Sequence, residues 1–110
     1  MIGGNIKGEI QLKRINRNAI GEMVEEWSTA KTLTGFLDYL SGESRYEAYQ
    51  AKIQESDHVF ICDYVPLAKG VTAENARMII DGQTYDVTYI DDPMGLHAQL
   101  EIYLKFTGGR

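Results

Sequence analysis

The residues here with the types to do chemistry are few: His58 and His97, the single Cys62, and the adjacent pair Asp91-Asp92. His58 lies inside HVFICDYV beside Phe60, and His97 opens the last apolar run. No Cys-x-x-Cys, His-x-x-x-His or His-Glu-x-x-His spacing occurs, so a metal site would need distant residues to converge. Cys62 has no flanking base and no helix N-terminus to lower its pKa, and reads as a small buried hydrophobe. Asp91-Asp92 before Pro93 has the form of a metal-binding carboxylate pair, but the same tripeptide is common in a solvated turn. Gly-x-Ser-x-Gly and the P-loop pattern are both absent. A nucleophile, its base and an orienting group do not come together at a usable spacing. The chain is therefore expected to be no enzyme, with no catalytic residue, no cofactor and no metal.

The elements that would position these residues are mostly strands. Ile6, Ile10 and Leu12 recur at period two, and Asn16-Arg17-Asn18 breaks the run. Between Glu22 and Leu40 the β-branched and aromatic content favours extended structure, read as two strands with a bend near Ser28-Thr29. Ser44-Arg-Tyr-Glu47 has capping-box spacing, and Tyr46, Tyr49 and Ile53 fall on one face of a helix. In HVFICDYV both faces are largely apolar, which predicts a central strand. Val65 to Glu74 reads as a loop. The stretch ARMIIDGQTYDVTYIDDP then spells strand, turn, strand, with Asp81-Gly82 supplying a type I′ turn. In the last run Leu100, Ile102, Leu104 and Phe106 are expected to face inward.

This pattern predicts a mainly β protein: a small antiparallel β-barrel or sandwich of about six strands with one α-helix inserted between strands. The 110 residues fit one domain, with loose ends at about 1–5 and 107–110. One cysteine excludes a disulfide scaffold. No run approaches the roughly 20 apolar residues that cross a bilayer, so no membrane partner is expected. The net charge of −5 makes a poor platform for gripping phosphates. It is unevenly spread: residues 1–20 carry Lys7, Lys13, Arg14 and Arg17 against Glu9 alone, whereas residues 55–110 are rich in acid. Such poles would suit head-to-tail contact between copies. The aromatics alternate with Asp63, Asp86 and Glu101 rather than with basic residues, unlike a platform for single-stranded nucleic acid.

The order of these segments resembles the phage head-tail joining, or head-closure, proteins of long-tailed phages and prophages, over about residues 5–106. Glu25-Glu26-Trp27 falls where that family often carries an acidic-Trp pair. Leu40-Ser41-Gly42-Glu43 is similar to its Leu-Ser-Gly-x-Glu segment. Asp57-His58-Val59-Phe60-Ile61-Cys62-Asp63-Tyr64 is similar to its Thr-His-x-Val-x-Ile-Arg-Tyr strand, and Arg77 to Val87 to its Asp-Gly hairpin. Two departures stand out: Cys62-Asp63 replaces the usual arginine, and a tryptophan common after the Trp27 strand is missing.

The resemblance implies assembly rather than catalysis. It implies a virion protein, made in the bacterial host cytoplasm, that forms a ring at the head-tail connector. The ring closes the portal channel after DNA packaging and offers the tail its docking surface. The implied partners are portal or adaptor connector proteins, tail proteins and further copies of the chain, which is expected to be monomeric when isolated. DNA passes without sequence-specific binding. Arg14, Arg17, Arg45, Tyr46 and Tyr49 are the expected contact residues, and Leu40–Asp57 and Val65–Ala76 the segments expected to project. The alternative role for Tyr46 and Tyr49 is to pack the helix onto the barrel. The alternatives are another virion ring component, such as a tail terminator, or a stand-alone β-barrel module binding nucleic acid or peptide.

Overall fold

Period-two alternation becomes strand wherever one side of the run can be buried, and six of the described runs of this chain meet that condition. The computed structural model describes residues 3–40, 51–67 and 70–108. Its strands are β1 (Ile6–Arg17), β2 (Met23–Tyr39), β3 (His58–Asp63), β4 (Ala76–Ile80), β5 (Gln83–Asp91) and β6 (Gln99–Gly108). All pairings are antiparallel. The order β1-β2-β3-β6-β5-β4 closes on itself through the β1–β4 pairing, forming a closed barrel. β6 runs through Thr107 and Gly108, two residues into the stretch expected to be a loose tail.

Each strand sends apolar side chains inward. Ile10, Leu33, Phe60, Cys62, Met78, Ile80, Tyr85, Val87, Leu100, Ile102 and Leu104 form one buried cluster. Burying a side chain such as Phe60 stabilises the fold by roughly 1.5–3 kcal/mol. Asp81 and Gly82 both have positive φ, as the type I′ turn between β4 and β5 requires.

Three expectations need correction. The inserted helix is not borne out: among the described residues the one α-helical segment is α1 (Ala51–Gln54), a single turn. Residues 41–50, on which most of that expectation rested, lie outside the described residues. The two strands read between Glu22 and Leu40 are one strand, β2, with a bulge where Ala30 is inserted opposite Ile10 and Gln11. The bulge does the work expected of a bend without ending the strand. It also flips the parity, so Leu33 faces in while Trp27 faces out. Thr88 plays the same part in β5: Tyr85 and Val87 are buried, but Tyr89 turns outward and Ile90 packs against the core. Finally, Phe106 is 41% exposed, because it sits at the barrel rim rather than in the core.

Candidate protein interface

The barrel has two ends of different character. At one end β2 stops, β3 starts and β6 finishes, and the junction is held by Asp57. Its carbonyl accepts from the Leu40 N–H (3.0 Å), and its own N–H donates to Leu104 O (2.9 Å). Its carboxylate accepts from the Phe106 N–H at 3.0 Å and meets His58 Nδ1 at 2.6 Å. Partial burial pushes the Asp57 carboxyl up. The hydrogen bonds from His58 and Phe106 and the charges of His58 and Lys105 outweigh that, and hold it below its ordinary value. The His58 ring lies 4.4 Å from Tyr39 and 5.1 Å from Tyr85, which in turn meets Phe106 edge-on at 5.4 Å. Thus both His58 and the exposed Phe106 belong to an aromatic rim. Cys62 lies deeper. Burial, then the charge of Asp63, pushes its thiol up to about 11, which leaves it a poor nucleophile.

The second end carries a projecting ribbon. β4 accompanies β1 only as far as Leu12, and β3 meets β2 only from Gly35 onward. Beyond those points Lys13–Arg17 pairs with Met23–Trp27 as a two-stranded arm. Five residues of strand extend it about 16 Å past the barrel wall. Asn18 builds its turn: its side-chain Oδ1 accepts from the N–H groups of Ile20 (3.1 Å) and Glu22 (2.9 Å). Arg17 Nη1 donates to Gly21 O at 2.9 Å. The arm keeps three large apolar side chains in water: Ile15 is 57% exposed, Ile20 79% and Met23 61%. At its base the Arg77 guanidinium lies 4.1 Å over the Trp27 ring and its Nε donates to Gln11 Oε1 at 2.8 Å.

A second turn shares this end. Asp92 accepts from the His97 N–H at 2.9 Å and also binds the His97 ring, which stacks on Tyr64 at 4.5 Å. The turn leaves Met94 and Leu96 exposed. Asp92 is a turn-forming residue, as its position before Pro93 suggested. Asp91 beside it is held above its ordinary value, first by burial and then by the charges of Glu101 and Asp92. Among the described residues, no group of three or more His, Cys, Asp or Glu side chains is placed to hold a metal. No helix among them is long and apolar enough to cross a membrane.

Of the expected contact residues, Arg14 and Arg17 lie on the arm, where neither has an ion-pair partner among the described residues. Arg45, Tyr46 and Tyr49 lie outside the described residues. The segments expected to project do not do so where they are described. Ile53 and Ser56 are buried, with Ser56 Oγ bonded to Thr88 Oγ1. Val71 and Ala73 pack against the core. The sequence reading missed Ile15, Ile20 and Met23. The signal was present: Ile15 is out of phase with Ile10 and Leu12, so it cannot share their inward face.

The two charged poles are also rearranged. Lys13, Arg14 and Arg17 of β1 stand across the arm from Glu25 and Glu26 of β2, and Glu22 directly precedes β2. The sequence-local basic pole is one strand of a ribbon whose other strand is acidic.

A family model described as phage head completion protein matches residues 4–105. The solution structure of protein SF1141 from Shigella flexneri 2a has the same fold, with a TM-score of 0.73 at 18% identity over 96% of this chain and 95% of that one. No curated protein matches the chain.

Proposed function

Because this chain belongs to the phage head completion protein family, we propose that it forms a ring at the head-tail connector, closing the portal channel after packaging and presenting the surface on which the tail docks. The family is one of structural virion proteins, and membership makes other phage head and tail proteins its partners. Channel closure, ring formation and tail contact each need a surface that a neighbour can cover. The observation that carries them is the arm. A ribbon with Ile15, Ile20 and Met23 clustered in water, on a barrel that otherwise closes its edges, is a surface built to be covered. The turn bearing Met94 and Leu96 lies at the same end of the barrel. The net charge of −5 suits a channel past which DNA moves without being held.

Arg14 and Arg17 are proposed contacts on the arm, and Arg45, Tyr46 and Tyr49 are proposed contacts of the 40–57 connection. The deciding experiment is electron microscopy of a lysate from the parent phage with this gene deleted. Separate tails and DNA-emptied heads support the closure step, whereas fully joined particles overturn it. A Tyr46→Ala/Tyr49→Ala variant is expected to leave heads and tails apart. Normal joining would remove both tyrosines from the contact set.

A further inference from the structure

We infer that copies of this chain join edge to edge through their arms, with β1 of one copy pairing against β2 of the next. The inference rests on the ring reading and names the surface that makes it. Past Leu12 and before Gly35 the arm has two free edges among the described residues. Free edges are usually blunted by proline, by shortness or by charges that repel any incoming strand. This arm contains no proline and runs for five ladder pairs.

Its charges are sorted by edge. The β1 edge carries Lys13, Arg14 and Arg17 and no acid. The β2 edge carries Glu25 and Glu26, with Glu22 just before them, and no base. A two-fold contact, β1 to β1 or β2 to β2, sets like charges opposite one another, which destabilises the pair. A β1-to-β2 contact sets Arg and Lys against Glu, repeating between copies the pairing already made within the hairpin.

Strand direction agrees. β1 and β2 are antiparallel within the arm. A neighbouring copy in the same orientation therefore offers its β2 antiparallel to this copy's β1. Copies in the same orientation, related by rotation, form a heterologous contact, the kind that builds a ring when the rotation closes. Ile15 and Met23 share one face of the ribbon with Trp27, so side-by-side arms would also make their apolar rows continuous. An isolated two-stranded ribbon is marginal, so the contact suits copies already gathered on a connector.

Single-cysteine variants test this in assembled heads. Arg14→Cys and Glu26→Cys are supplied together, in equal amount, to a phage lacking the gene, and the heads are oxidised and run on a non-reducing gel. Keeping the thiols on separate chains matters, because Arg14 and Glu26 are opposite each other within one hairpin. Val24→Cys and Ser28→Cys share Arg14's face and cover a register shift of two residues either way, the smallest that keeps the faces matched. The native Cys62 is 2% exposed and stays out of the exchange.

The expected result is a mixed disulfide dimer at about one interface in four, the chance that unlike variants adjoin in the right order. Neither variant alone should cross-link. Like residues on adjacent arms are two strand spacings, about 9.5 Å, apart, beyond the roughly 7 Å that a disulfide spans. Heads that carry the protein but give no mixed dimer with any of the three partners overturn the inference, as do like-with-like dimers in equal amount. Heads that lack the protein altogether overturn the connector reading itself.

Discussion

Asp57 joins three strands through one residue, using both its backbone groups and its carboxylate. Replacing it by alanine leaves the Phe106 N–H and the His58 ring without their partner, and should cost about 1–3 kcal/mol in urea unfolding. Its folded carboxyl releases its proton more readily than the unfolded one. The stability it contributes is complete above the ordinary value of 3.8 and is lost as the pH falls through the lower folded value. Asp57→Asn should therefore flatten the stability curve below about pH 3.8. Asp91 has the opposite sign. Burial, Glu101 and Asp92 raise its folded value, so its ionised form opposes folding at neutral pH and the opposition disappears on acidification. Asp91→Asn should melt at a higher temperature than the parent at pH 7. The two curves should converge in acid, below the unfolded value of 3.8.

Among the elements, β2 does two jobs divided by the Ala30 bulge. Its second half is barrel wall. There a Cβ on Gly35 would lie 2.2 Å from Ile61 O, a backbone atom that cannot step aside. Gly35→Ala should separate β2 from β3 and cost about 1–3 kcal/mol or more by thermal unfolding. Its first half is arm, where Met23 stands opposite Arg17 and touches no core. An Ile15→Ser/Met23→Ser variant should stay within about 0.5 kcal/mol of the parent in stability. The same variant should leave heads and tails unjoined in micrographs. A large loss of stability would mean that the arm packs the fold rather than a partner.

At the scale of the whole molecule, the arm makes the shape. The extents are 48 × 27 × 27 Å and the radius of gyration is 14.7 Å, against about 13 Å for an ordinary domain of this length. The excess lies along one axis, as expected for a round barrel with a ribbon on one end. A particle of this shape reaches a neighbour while leaving its barrel undisturbed. Arg14→Glu/Arg17→Glu should therefore fold as the parent does, by circular dichroism and melting temperature. It should fail in assembly, because it places acid on both edges of the arm.

Composition and short-range pattern by themselves determined that this is a mainly β chain, which residues alternate inward over most strands, and where the Asp81-Gly82 turn falls. These follow from side-chain periodicity and turn chemistry, which act over a few residues. The order of the motifs also pointed to the head-joining family. Tertiary structure decided the rest. Ala30 and Thr88 are unremarkable residues in the sequence, yet as bulges they turn Trp27 and Tyr89 out of the core, because an inserted residue reverses parity only relative to a partner strand. The arm exists because β4 and β3 stop pairing before β1 and β2 do, a comparison between strands far apart in the chain, as Gln11 and Arg77 are at 66 residues. Charges that read as a basic pole along the chain became one strand of a sorted ribbon, since the hairpin folds Glu22, Glu25 and Glu26 back beside them. Local pattern fixes what each segment is; which segments run out of neighbours is a property of the closed sheet.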